Sequence, residues 1–152
     1  MKLIILDRDG VINHDSLSYI KGPDEWKPIA GSLEAIALLN QAGYRVLVAT
    51  NQSGIGRGLF DMATLNAIHD KMHRALGAVG GRVDGIFFCP HAQEAGCNCR
   101  KPKTGMLEEI ARRFNTSLEG VPFIGDSQRD GGLPAGTKVH ADLAAAVKSL
   151  VK

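Results

Sequence analysis

Apolar residues alternate along the chain between short continuous runs and longer stretches at helical spacing. Residues 2–6 (KLIIL) form a run of strand length that stops at Asp7-Arg8-Asp9-Gly10. After a polar loop holding Trp26 and Pro28, a helix is expected from Ser32 as N-cap. Leu33, Ile36, Ala37 and Leu39 form its apolar face and Gly43 its stop. Residues 44–49 (YRVLVA) predict a second strand. Asp61 caps a second helix in which Leu65, Ile68, Met72 and Leu76 repeat at helical intervals. A third strand is expected over 85–88. A third helix opens at Thr104 with Leu107, Ile110, Ala111 and Phe114 inward, and a fourth strand covers 121–124. A short piece at Thr137-Lys138-Val139 and a helix from about Asp142 to Leu150 close the chain. Strands separated by helices predict one α/β domain, a Rossmann-like three-layer sandwich on a mainly parallel sheet.

Parallel strands deliver their C-terminal ends to one rim, where open α/β sheets bind ligands. The first strand ends at Asp7 and Asp9. The second ends at Thr50-Asn51-Gln52-Ser53, followed by Gly54, Gly56 and Gly58, whose N–H groups are expected to cradle a phosphate. The fourth ends at Gly125-Asp126, with Asp130 four residues on, and Arg100-Lys101-Pro102-Lys103 precedes the third helix. Acids, a hydroxyl and clustered cations suit phosphoryl transfer through a carboxylate. A phosphate monoester repels an attacking anion, so a divalent cation and a lysine must first neutralise it. An aspartate can then take the phosphoryl group, dividing one hard step into two. A second aspartate exchanges protons with the leaving oxygen and the water, a role that calls for a raised pKa.

Composition narrows the field. The chain has 152 residues and a formal net charge of +2, with its basic residues scattered rather than striped, so neither nucleic acid nor a membrane is expected as a partner. No export signal or membrane-length apolar run is seen, and a cytoplasmic monomer is expected. The three cysteines all lie between Cys89 and Cys99. With His91 they make a Cys₃His set (Cys89, His91, Cys97, Cys99) suited to structural Zn²⁺ in a polar loop, closed and therefore not catalytic. That loop ends at Arg100-Lys101 and would fix two cations over the rim. No insertion is large enough for a separate cap domain, so the pocket is expected to be open. His69 and His73, four apart on a helix without an acidic or cysteine partner, are expected at the surface.

Asp7-x-Asp9-Gly10, Thr50-Asn51, Lys101 and Gly125-Asp126-x-x-x-Asp130 resemble the haloacid-dehalogenase-type phosphohydrolases, in order and strand placement, over roughly the first 130 residues. The resemblance implies Asp7 as nucleophile and Asp9 as general acid/base. Thr50 and Lys101 would hold the phosphoryl group, and Asp7, the Asp9 carbonyl and Asp126 would bind Mg²⁺, with Asp130 behind them. The motifs at 6–10 (LDRDG), 50–58 (TNQSGIGRG), 89–91 (CPH) and 97–102 (CNCRKP) resemble the zinc-loop branch of heptose-bisphosphate and histidinol-phosphate phosphatases, the former more closely. By that likeness Arg100 would recognise the sugar phosphate. Asn51, Gln52 and Ser53 would line the phosphate pocket, and Asp15, Ser16, Leu17 and Ser18 would touch substrate. The implied reaction removes the C7 phosphate of D-glycero-D-manno-heptose 1,7-bisphosphate during nucleotide-heptose synthesis for surface polysaccharide. A histidinol-phosphate phosphatase is the nearest alternative, and a non-catalytic zinc-knuckle module on a phosphatase scaffold is one from another class.

The chain departs from the family at one place. Beyond Asp130 the family continues with a helix and another core strand, but here Gly131-Gly132-Leu133-Pro134 follows at once, leaving no room for them. Either the chain carries a deletion or two segments are joined across an omitted stretch. The second is preferred, because each flanking piece is family-like.

Overall fold

The computed structural model describes residues 2–16, 18–91, 96–97, 105–125, 139–140 and 143–150. Five parallel strands, β1 (Lys2–Leu6), β2 (Tyr44–Asn51), β3 (Gly85–Cys89), β4 (Phe123–Ile124) and β5 (Val139–His140), form one sheet in the order β3-β2-β1-β4-β5. Four α-helices accompany them: α1 (Ser32–Gln41), α2 (Met62–Ala78), α3 (Gly105–Arg113) and α4 (Leu143–Leu150). The alternation expected from the sequence is thus the observed order.

Strand side chains alternate between two cores, as a period of two requires. Ile4, Leu6, Val46, Val48 and Ile124 pack on one face with Ile36 and Leu39 of α1, Ile68, Met72 and Leu76 of α2, and Leu143, Ala146 and Val147 of α4. Leu3, Ile5, Leu47, Ala49 and Phe123 pack on the other with Met106, Leu107 and Ile110 of α3. Three layers result, with near-continuous apolar strands because both faces are covered. Leu65, Ile68, Met72 and Leu76 of α2 are fully buried, each contributing about 1.5–3 kcal/mol.

Local details differ from expectation where chain geometry intervenes. Gly31, in the left-handed region at φ 86°, is the N-cap of α1, and Ser32 lies inside the helix. The Ser32 hydroxyl instead donates to the Val11 carbonyl at 2.8 Å, pinning the loop after β1. Asp61 caps α2 as expected, accepting the Thr64 N–H at 2.8 Å. Strand β4 is limited to two residues. Pro122 has no N–H to offer, although its carbonyl still accepts from Ile5 at 3.1 Å. The loop after β1 contains a single 3-10 turn, Pro23–Glu25, with Pro at its start. Lys71 of α2 donates to the Pro23 and Trp26 carbonyls at 2.6 and 2.7 Å, and Trp26 is buried beneath it. This clamp holds the loop that carries the first site residues. No helix among the described residues is long and apolar enough to cross a membrane.

Candidate active site

Of the expected residues, Asp7, Asp9, Thr50 and Gln52 lie together at the rim of the sheet. The Asp7 N–H donates to the Ile124 carbonyl at 2.9 Å, so β1 leaves the sheet against the end of β4. Asp7 is buried, and its carboxylate accepts the Arg8 N–H at 2.7 Å. Gly10, at φ 84°, lets the chain turn at once, and its N–H donates to the Asn13 carbonyl at 2.7 Å. The turn brings Asn13 back to Asp9, where its side-chain amide donates to Oδ1 at 3.0 Å and to the His14 carbonyl at 3.0 Å.

From β2 come Thr50 and Gln52, both buried. The Gln52 amide lies 3.1 Å from the Thr50 hydroxyl and 3.3 Å from Asp9 Oδ2. One side chain therefore links the expected general acid to the expected phosphoryl-holding hydroxyl. Ser53 is buried beside them and Asn51 half-buried. Asp15 and Ser18 lie on an exposed stretch of the first loop. Asp15 accepts the Ser16 N–H at 2.8 Å, and the Ser18 carbonyl accepts from Lys21 at 2.9 Å. Leu17, Cys99, Arg100, Lys101, Asp126 and Asp130 lie outside the described residues.

In the glycine loop, two of the three N–H groups considered for a phosphate cradle are engaged by backbone carbonyls. The Gly56 N–H donates to the Pro90 carbonyl at 2.8 Å, outside the loop, and that of Gly58 to the Ile55 carbonyl at 3.0 Å, within it, so both are already engaged by the protein's own backbone. Glycine at 54 answers a close approach instead: a Cβ there would collide with the Phe60 ring. Together with the Gln52 N–H on the Cys89 carbonyl (2.8 Å), the Gly56 bond ties this loop to the cysteine segment.

Cys89, His91 and Cys97 form the one metal-competent cluster among the described residues. Cys89 Sγ lies 3.4 Å from Cys97 Sγ and 3.5 Å from His91 Nδ1. Tetrahedral zinc with Zn–S of about 2.3 Å sets its ligand atoms slightly under 4 Å apart, so the set fits. The buried Asp7 carboxylate and the Asp9 carbonyl are hard oxygens of the kind Mg²⁺ requires and could hold it.

Three residues of this neighbourhood have no site role in the sequence reading: Arg8, Asn13 and His69, the last expected at the surface. Arg8 is fully buried, donating from Nε to Asp9 Oδ1 at 2.7 Å and lying 3.1 Å from His69 Nε2 through Nη1. His69 is therefore not a surface residue, while His73 is exposed as expected. The signal was available: position 69 is four after Leu65 and seven before Leu76, on the buried stripe of α2. Burial first, then the Arg8 and His73 charges, pushes His69 down to about 3. It is thus a neutral imidazole that accepts from Arg8.

Comparison with known proteins places this geometry. The family model described as polynucleotide kinase 3 phosphatase matches residues 2–146. A D-glycero-beta-D-manno-heptose-1,7-bisphosphate 7-phosphatase of Bordetella bronchiseptica is 54% identical over 177 aligned positions, covering 100% of this chain and 99% of that protein. The Pseudomonas aeruginosa protein of the same name is 45% identical, covering 99% and 98%. Among solved structures, the B. bronchiseptica D,D-heptose 1,7-bisphosphate phosphatase complexed with magnesium and phosphate superposes with a TM-score of 0.92 at 55% identity, over 99% of this chain and 98% of that one. The corresponding Burkholderia thailandensis enzyme gives 0.72 at 48% identity, over 100% and 99%. Strand order, the paired acids after β1 and whole-length identity lead to one assignment: the chain belongs to the haloacid-dehalogenase-type phosphatases, in the family of the D,D-heptose 1,7-bisphosphate 7-phosphatases.

Proposed function

We propose that the chain hydrolyses the C7 phosphate of D-glycero-D-manno-heptose 1,7-bisphosphate, with preference for the β-anomer that its relatives' names carry. The observation that supports this most is the convergence of Asp7, Asp9, Thr50 and Gln52 in a chain 54% identical to such an enzyme along its whole length. In the reading, an Asp7 carboxylate oxygen attacks phosphorus and the bond to the C7 oxygen breaks. Asp9 gives its proton to that oxygen. Water then attacks the aspartyl phosphate, Asp9 takes a proton from the water, and inorganic phosphate leaves with Asp7 restored. Thr50 and Lys101 hold the phosphoryl oxygens. Asn51, Gln52 and Ser53 line its pocket, and Arg100, Asp15 and Ser18 meet the sugar phosphate. Mg²⁺ on Asp7, the Asp9 carbonyl and Asp126 would supply charge neutralisation during attack. Zn²⁺ on Cys89, His91, Cys97 and Cys99 would stiffen the loop carrying Arg100 and Lys101. The chain would act as a single-domain monomer in the cytoplasm, within nucleotide-heptose synthesis.

The test offers both anomers of the heptose bisphosphate, and histidinol phosphate, to the protein with Mg²⁺ and follows phosphate release. Turnover should be fastest on the β-heptose bisphosphate and at least 10³-fold lower in Asp7→Asn, a loss on the scale of removing a covalent nucleophile. Faster release from histidinol phosphate would overturn the substrate reading. Unchanged turnover in Asp7→Asn would overturn the mechanism.

A further inference from the structure

The Arg8 side chain lies within the Asp-Arg-Asp motif yet takes no part in the reaction above. It is fully buried, and its guanidinium has two partners among the described residues, Asp9 Oδ1 through Nε and His69 Nε2 through Nη1, while Nη2 has none. A buried guanidinium keeps its charge and carries a heavy desolvation cost unless its geometry is well satisfied. Here the satisfied donors aim at one oxygen of the acid/base and at one nitrogen on α2.

Asp9 has two inequivalent oxygens. Oδ1 accepts from both Arg8 Nε (2.7 Å) and Asn13 Nδ2 (3.0 Å), so it holds two donated hydrogens and is a poor place for a third. Oδ2 lies on the other side, 3.3 Å from the Gln52 amide that also reaches Thr50. A carboxylic acid protonating a leaving oxygen must carry its proton on the oxygen facing it. The occupied Oδ1 leaves Oδ2 for that task.

We propose that Arg8 is a positioning residue for the acid/base Asp9, anchored from α2 by His69, and that with Asn13 it reserves Oδ1 as an acceptor so that the exchangeable proton sits on Oδ2. The proposal rests on the phosphatase reading and adds to it a reason for an arginine between the two acids. His69 is the anchor rather than the actor. It touches Arg8 and not the reacting atoms, and as a neutral ring with Nε2 free of hydrogen it can accept the Nη1 bond.

Removing Arg8 leaves the half-buried Asp9 carboxylate and the buried His69 imidazole to reorganise, so the decisive variants are at His69. His69→Leu removes the acceptor, whereas His69→Gln keeps one in its amide oxygen. Both are compared with the full-length wild-type chain, with Mg²⁺, on a sugar phosphate and on p-nitrophenyl phosphate. An alkoxide needs a proton to leave and a nitrophenolate hardly does. Misplacing Asp9 should therefore lower kcat on the sugar phosphate about tenfold or more, with KM within twofold, while kcat on the aryl ester falls less than threefold. His69→Gln should recover at least half of the sugar-phosphate rate. Without any substrate, nitrogen-correlated NMR of wild-type His69 should show the Nδ1–H tautomer from pH 5 to 9, and this signature should persist after Asp7→Asn. Equal losses on both substrates, a Gln variant no better than Leu, or an Nε2–H tautomer would each overturn the proposal. A wild-type chain active on other alkyl phosphates but not on heptose bisphosphate defeats only the substrate reading, since the alkyl-to-aryl ratio still decides the role of Arg8.

Discussion

At the scale of single residues, the acids of the rim declare themselves and their supports do not. Asp7 and Asp9 stand out because charge ends an apolar strand, a contrast visible in any listing of the chain. His69 hides because a polar residue within an apolar stripe resembles the helix's wet face until the Arg8 contact is known. Its burial has a consequence for acid stability. The folded imidazole stays neutral down to about pH 3, whereas an unfolded one titrates near 6.5. Between those values the unfolded chain binds a proton that the folded chain does not, so stability is full above about pH 6.5 and declines as pH falls, by up to about 1.4 kcal/mol per pH unit. The charged groups around it are Arg8 and Asp9 from the loop after β1, His73 and Asp70 on α2, and Asp84 across the cleft. Glu25, Asp61 and Glu109 are held below their usual values by the Lys21 N–H, the Thr64 N–H and the Arg113 side chain respectively, and so act only at lower pH. Urea unfolding midpoints should therefore drop between pH 6.5 and 4.5 in the wild type and stay nearly flat in His69→Gln. Parallel slopes in the two proteins would refute this account.

At the scale of elements, runs and periodicities are long enough to read and short turns are not. The strands and helices follow the expected order because both core faces draw on alternate strand positions. The 3-10 turn at Pro23–Glu25 has three residues and no period of its own, and it owes its place to Lys71 of α2. Loop chemistry is only partly legible for a related reason. Glycines at 56 and 58 suggest free N–H donors, but a loop must satisfy its own backbone first, and these N–H groups do so. That of Gly58 closes the loop on Ile55, and that of Gly56 joins the loop to the cysteine segment. The Cys89 and Pro90 carbonyls accept from Gln52 and Gly56, so a loosened cysteine segment would be felt at Gln52 and through it at Asp9 and Thr50. Cys97→Ser should accordingly lower bound zinc well below one per chain in metal analysis and reduce kcat/KM roughly tenfold or more, a magnitude typical of disturbed metal surroundings. Full zinc occupancy, or unchanged kinetics after zinc is lost, would contradict that coupling.

At the scale of the whole molecule, among the described residues the sheet is more extensively paired on one side of β1 than on the other. There, β1 pairs with β2, and β2 with β3, over five residue pairs each, whereas β1–β4 and β4–β5 have two each. The alignment with the B. bronchiseptica protein runs over 177 positions against 152 residues here while covering 100% of this chain, so positions are skipped within it. The sequence places such a skip after Asp130, between the segments leading to β4 and β5. A helix and strand there would add apolar cover and backbone pairing on the weak side, and would hold the chain just past Asp126 and Asp130, which the Mg²⁺ reading needs. Inserting the relative's corresponding segment between Asp130 and Gly131 should therefore raise Tm by several degrees and strengthen Mg²⁺ binding, measured by calorimetric unfolding and by titration of the cation. If the insertion lowers Tm and leaves Mg²⁺ affinity unchanged, the short connection is an adapted feature of this sheet. Intact mass of protein from its natural source separates the two origins of the gap: 16.2 kDa means a deletion carried by the chain, and a heavier protein means a joined sequence.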